Sequence, residues 1–244
     1  RYAVGEGGNY WRLEPALERE MRRVYPDGEF AWAVDVLSEF GETVATRIAR
    51  NADIVDDHGP VLETYDRNGN LSNAVDYHPA HLANERLGIK AGLLADAFSA
   101  PPGRDEPVGL THPLAMQTLA CYADVGLVCA LSMTVGAALV LENHDESGHY
   151  DGLLDALTER DHGRAAQGAM FLTERQAGSD VGAVETVARP VTNPADDRHG
   201  DVHDSRVYAL TGEKWFCSNL DAQGTLTLAR RPDAPAGTEG LSLF

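Results

Sequence analysis

Phe171-Leu-Thr-Glu-Arg-Gln-Ala-Gly-Ser-Asp-Val-Gly-Ala183 is the stretch that decides the fold. It leaves an apolar run, Ala169-Met170-Phe171-Leu172, that reads as a short buried strand. Thr173, Ala177, Gly178, Ser179 and Asp180 then form a tight loop. Glycine there lets backbone pass close to a ligand, and the hydroxyls of Thr173 and Ser179 add to the loop amides as donors. Such a loop suits a flat, hydrogen-bond-rich ligand that carries phosphate. Further on, Tyr208-Ala-Leu-Thr-Gly-Glu-Lys-Trp-Phe-Cys-Ser-Asn219 reads as a strand, a turn at Thr211-Gly212, then an aromatic pair followed by hydroxyl and amide.

Together the two segments resemble the acyl-CoA dehydrogenases, whose signature runs apolar-Thr-Glu-x-x-Ala-Gly-Ser-Asp-x-x-small with a downstream Gly-x-Lys-x-aromatic-x-Ser/Thr-Asn. Thr173 to Ala183 fit position by position. Phe171 departs, standing where the family usually has a small residue. Thr173-Glu-Arg-Gln176 and Lys214-Trp-Phe216 look most like the alkylation-response (AidB-like) branch. Tyr65-Asp-Arg-Asn-Gly69, Tyr77-His-Pro-Ala-His81 and Leu131-Ser-Met-Thr134 agree, so the resemblance covers nearly the whole chain. The fold it implies is α+β: an N-terminal all-α helical domain over 1–165, then an antiparallel β-domain over 166–244. The sequence starts at Arg1 and stops at Leu241-Ser-Leu-Phe244 inside a strand-like pattern. It reads as a fragment, with the family's C-terminal helical domain expected outside it.

The resemblance also implies a cofactor, FAD, and a reaction, α,β-dehydrogenation of an acyl-CoA thioester with hydride transfer to flavin N5. By resemblance Met170, Leu172, Thr173, Ser179, Phe216, Cys217 and Ser218 form the cofactor-binding set. Leu172 and Thr173 would serve the pyrimidine edge. Phe216 would replace the family's stacking tryptophan, with Cys217 beside it, and Ser218 would reach toward N5. Ser179 would serve the FAD pyrophosphate or the adjacent arm of the CoA substrate. Glu174 and Asp180 are expected to hold loop geometry, and Trp215 to pack in the sheet. The catalytic base is expected outside these residues. The implied partners are acyl-CoA, an electron-transfer flavoprotein as acceptor, and three further copies in a homotetramer. The branch also allows a different class of function, a mainly non-catalytic flavin-bearing protein that protects DNA through another part of the chain.

Composition narrows the setting. The formal charge is −18, with 38 acidic residues against 20 basic, and Lys90 and Lys214 are the only lysines. Excess carboxylates repel one another in dilute buffer and tolerate strong screening, which reads as adaptation to a salty cytoplasm or as an ordinary acidic protein. Either way nucleic acid is not expected to bind through this part, because phosphate contacts need clustered Lys and Arg. Cys121, Cys129 and Cys217 form no metal-binding spacing. On a shared helix the first two would stand ~12 Å apart, too far to bridge, so buried free thiols are expected.

Along the chain, Leu13 to Val24 reads as a short helix, and Pro26-Asp27 as the start of the next. There Phe30, Val34, Leu37, Val44 and Ile48 recur at helical spacing. Asp66-Arg-Asn-Gly-Asn70 reads as a turn with Gly69 at positive φ, because an EF-hand needs glycine where Leu71 stands. His78 and His81 flank Pro79 at a helix start, Ala80 to Phe98 reads as helix, and Pro101-Pro102-Gly103 ends it. Pro113 to Leu141 is the longest apolar stretch, and 125–141 carries no charge. It touches the lower length limit of a membrane span but reads as a fully buried helix pair, so no membrane partner is expected. Met133 and Thr134 read as core. The patch from Asp196 to Asp204, with His199 and His203, reads as a solvated acidic loop, and no metal site is expected.

Overall fold

A computed structural model describes residues 7–26, 28–191 and 207–244. Gly5, Asp27, Pro194 and the acidic patch with His199 and His203 lie outside the described residues. The chain divides into two compact units, Arg1–Gly168 and Ala169–Phe244.

The first unit is helical. Asn9 caps α1 (Tyr10–Leu13), its side chain accepting from the Arg12 amide. Pro15 then opens α2 (Pro15–Val24), where its missing N–H costs nothing. The amphipathic run forms α3 (Glu29–Thr43), which widens into a π-turn at Val44–Ile48 and continues as α4 (Ala49–Asp57). Leu37, Val44 and Ile48 are fully buried on one face, against Leu93, Met116, Leu119 and Leu127. His78 caps α5 (Pro79–Ala91), its Nδ1 accepting from the Ala80 amide at 3.1 Å. The helix stops earlier than its sequence suggests: Gly92 takes a left-handed conformation (φ 87°) and ends it, and only a 3₁₀ turn at Ala95–Ala97 follows.

The long apolar stretch is two helices, α6 (Thr111–Cys121) and α7 (Val125–His144), with Asp124 capping the second through the Leu127 amide. The expectation of a fully buried pair fails for α7. It is long and apolar enough to cross a membrane by length and composition, yet only 39% of its most apolar window is buried. Leu127, Leu131, Thr134 and Ala138 face the core, while Val125 is 70% exposed. Thr134 is core: its hydroxyl donates to the Ala130 carbonyl and accepts the Gly168 amide. The cysteines are free as expected, but the expected burial fails. Cys121 and Cys129 sit on different helices and both are exposed, with Cys217 half-buried. Helix α8 (Asp151–Leu157) follows α7 in the chain.

Among the described residues, one hairpin interrupts the helices of a unit expected to be all-α. Strands β1 (Val61–Tyr65) and β2 (Leu71–Asp76) pair antiparallel around the expected turn, where Gly69 has φ 83° and Asp66 accepts from the Asn68 and Asn70 amides. Both strands are largely exposed, so this hairpin adds strand to the helical unit without adding core.

The second unit is a five-stranded sheet in the order β3 (Gly168–Phe171), β6 (Gly224–Arg230), β4 (Val187–Pro190), β5 (Tyr208–Thr211), with β7 (Leu241–Leu243) also on β6. Pairing is antiparallel for β4–β5 and β6–β7, and a single parallel contact, Val187 with Arg230, joins β4 to β6. Ala169, Ala188, Leu226 and Ala229 are its buried side chains along these strands.

Candidate functional site

The two signature segments lie side by side in the sheet unit. The Trp215 amide donates to the Thr173 carbonyl at 2.8 Å, and Lys214 Nζ donates to the Leu172 carbonyl at 3.3 Å. Beyond Thr173 the chain turns tightly: Glu174 and Ala177 exchange both backbone hydrogen bonds, leaving Arg175 and Gln176 at the tip.

Glu174 is the anchor of this turn. It is 3% exposed, and its carboxylate accepts from Lys214 Nζ at 2.8 Å, from the amides of Glu185 and Thr186 at 2.7 and 3.0 Å, from the Thr186 hydroxyl and from Gln176 Nε2. Burial pushes its pKa up, but the Lys214 ammonium and the other donors outweigh that and hold it down at about 2. The expectation that Glu174 holds structure is therefore met in detail. A carboxylate this acidic and this enclosed is a poor proton acceptor at neutral pH. Because the folded value lies below the ordinary 4.5, the stability it contributes is complete above pH 4.5 and is lost as pH falls from there toward 2. Acid titration followed at the amide resonances of Glu185 and Thr186 should show their release in that window, and release already complete at pH 5 would contradict it.

Gly212, in the downstream signature, has a packing reason. A Cβ there would stand 2.7 Å from Thr186 Cα, so any side chain displaces the residue that bonds Glu174. Arg230 fixes the far end of the loop: its Nη2 donates to the carbonyls of Gly182 and Gly237 at 2.9 and 3.0 Å, and its Nη1 to Pro235.

The candidate cofactor residues fall into two places. Met170, on β3, and Leu172 and Thr173 after it are half-buried; Cys217 is half-buried, and Phe216 and Ser218 are exposed, all next to the paired signature backbones. Ser179 is exposed further along the loop, past Ala177. Phe216 is 83% exposed and holds φ 57°, and Asn219 holds φ 59°. Asparagine tolerates the left-handed region, whereas a bulky aromatic there is an outlier. Strain of this kind persists where the surrounding structure imposes it, and it concentrates at functional sites. Trp215 departs from expectation: it is 43% exposed rather than packed in the sheet, with the Arg175 guanidinium 4.7 Å from its ring centre.

These residues fit a flavin. Leu172 and Thr173 lie half-buried at the edge of the paired segments with the Thr173 hydroxyl among them, Phe216 offers an uncovered aromatic face, and Ser218 is an exposed hydroxyl residue in the same segment. Lys214 went unread as a structural residue in the sequence, although being one of only two lysines marks it out. The helical unit also holds buried polar groupings that sequence reasoning missed. Tyr25 and His112 share a 2.5 Å hydrogen bond, and Asp96 pairs with Arg160. Burial lowers the His112 pKa to about 4 and raises that of Asp96 against the pull of Arg160. Glu85 accepts from His81, His162 and Gln167. His112 and Asp96 are enclosed at 0% and 1% exposure, which suits packing rather than substrate contact.

Sheet unit, signature loop and helical unit together define an acyl-CoA dehydrogenase-like protein, and known proteins agree. Acyl-CoA dehydrogenase family member 11 of Caenorhabditis elegans is 28% identical over 97% of this chain and 37% of its own length. The 3-methylmercaptopropionyl-CoA dehydrogenase of Ruegeria pomeroyi is 31% identical over 92% of this chain and 35% of its own. Among solved structures, C. elegans ACDH-11 in complex with C11-CoA superposes with a TM-score of 0.80 at 25% identity, covering 98% of this chain and 40% of that one. Residues 3–164 match the family described as the adaptive response protein AidB N-terminal domain, and the chain belongs to that family within the acyl-CoA dehydrogenase-like proteins. It spans well under half the length of the relatives it matches.

Proposed function

We propose that the protein to which this chain belongs is an FAD-dependent oxidoreductase that dehydrogenates an acyl-CoA thioester between its α and β carbons. The observation that carries this reading is the exposed, left-handed Phe216 beside Ser218, on the segment that the Trp215 amide ties to the Thr173 carbonyl and Lys214 Nζ to the Leu172 carbonyl. An aromatic in the left-handed region is a conformational outlier, and such strain concentrates at functional sites, while the exposed ring leaves a flat face open. FAD, when bound, supplies the two-electron acceptor for the hydride.

The chain's own residues would bind and tune. Leu172 and Thr173 would meet the pyrimidine edge, with Met170 behind them, and Phe216 would cover the ring face with Cys217 alongside. Ser218 would donate a neutral hydrogen bond at N5, and Ser179 would reach phosphate on FAD or CoA. The enclosed state of Glu174 supports a base drawn from elsewhere in the protein. The relatives' activities and the C11-CoA complex support acyl-CoA as substrate class. Family membership supports an electron-transfer flavoprotein as acceptor and a homotetramer. The AidB match supports a second reading, a flavin protein that guards DNA without acyl-CoA turnover.

Ser218→Ala and Thr173→Ala in the complete protein test the assignment. Loss of one neutral hydrogen bond is about 0.5–1.5 kcal/mol, and 1.4 kcal/mol is about 30 mV for a two-electron couple. Ser218→Ala should therefore move the flavin potential by some tens of millivolts with FAD retained. Thr173→Ala should weaken FAD retention, because that hydroxyl serves oxidised and reduced ring alike. Dithionite titration of both variants decides it, and an unmoved potential in Ser218→Ala removes Ser218 from N5.

A further inference from the structure

Arg175 stands at the tip of the Glu174–Ala177 turn, yet its guanidinium folds back across the downstream signature. Its Nε donates to Glu213 Oε1 at 3.0 Å, and Cζ lies 4.7 Å from the Trp215 ring centre. Trp215 in turn touches Phe216: the two rings meet edge to face at 5.9 Å and 84°. Phe216 itself is 83% exposed at φ 57°.

A side chain so uncovered has few contacts to fix its rotamer, so the orientation of its ring depends on whatever touches it. The Trp215 backbone is fixed by its bond to the Thr173 carbonyl, but its indole is 43% exposed. The guanidinium supplies the missing constraint. Cations favour the face of an indole ring, and the planar fork of arginine fixes its own tilt when one nitrogen is held by a carboxylate. Glu213 provides that carboxylate. Arg175, Glu213, Trp215 and Phe216 thus form a continuous row, linking the first signature loop to the aromatic at the end of the second.

The geometry points to Arg175 as a positioning residue: stacked on Trp215 and held by Glu213, it sets the orientation of the Phe216 ring on which a flavin would rest. The flavin half of this inference rests on the function proposed above, whereas the row of side chains does not. Arg175 touches no reacting atom. It acts by fixing Trp215, and through Trp215 the face that Phe216 presents. Arg175 and Glu213 are both 69% exposed, so the pair adds little to global stability and its effect is confined to the site.

The test uses the complete flavin-loaded protein labelled with 5-fluorotryptophan, the Trp215 resonance being assigned by its loss in Trp215→Phe. Arg175→Ala should move that resonance, weaken flavin retention by roughly threefold to tenfold, the scale of one modest contact, and alter the visible flavin bands. Arg175→Lys should restore part of each, since it keeps a cation over the ring without the fork. An unmoved Trp215 resonance overturns the row of contacts. A moved resonance with unchanged flavin retention and bands overturns the positioning role. A wild-type protein without flavin sinks the function reading instead, and the Trp215 resonance then still decides whether the row exists.

Discussion

Lys214→Met is expected to lower the stability of the sheet unit by about 3–5 kcal/mol, the cost of leaving one member of a buried ion pair without its partner. Lys214 is 10% exposed and Glu174 3% exposed as side chains, and their atoms meet at 2.8 Å. Methionine matches the lysine stem in length and would fill its volume, so the loss reports charge rather than cavity. Glu174 would keep its amide and hydroxyl donors but lose the Lys214 cation, the one paired with it among the described residues, and its carboxyl would shift upward toward neutrality. The Leu172 carbonyl loses its Lys214 donor as well. The consequence is local: the turn at Glu174–Ala177 loosens and the two signature segments separate. Hydrogen exchange at the amides of Glu185, Thr186 and Trp215 reads this directly. Protection unchanged from wild type would show that the ion pair is not what holds the loop.

Asn84→Leu should destabilise the helical unit by about 3 kcal/mol, since buried polar groups left unsatisfied cost 1–3 kcal/mol each and more when charged. Asn84 is fully buried. Its amide donates to the Ile48 carbonyl at 3.1 Å, where the π-turn ends, and to Asp124 Oδ2 at 2.8 Å, while its carbonyl accepts from Asn51. Asp124 in turn caps α7 through its other oxygen. One side chain therefore ties the widened turn of the α3–α4 rod to α5 and to the first turn of α7. Leucine is close in volume, which keeps packing loss small. Thermal unfolding would show the effect, and a loss below about 1 kcal/mol would mean that Asp124 and the Ile48 carbonyl find other partners.

Particular residues show why some of this was legible. Ala169 to Leu172 announces a strand by its apolar run, and Gly69 and Pro79 announce a turn and a helix start, because each has a local conformational cause. The end of α5 was missed because nothing but the left-handed Gly92 stops an otherwise helical pattern. The π-turn at Val44–Ile48 preserves the apolar spacing around it, so periodicity passes over it. Cysteine exposure was misread because burial depends on which face of α6 and α7 turns inward. The site divides the same way. Thr173 to Ala183 carries its motif in the chain order, but the Glu174–Lys214 pair and the Arg175–Trp215 contact join residues some forty positions apart. Only the fold brings those together.

The visible absorption spectrum of the purified complete protein, with acid-released cofactor identified and quantified, tests the central claim most directly. FAD bound in near-equal amount to the protein, and retained less tightly in Thr173→Ala, is the result this account predicts. A colourless protein that takes up no FAD on incubation would contradict it.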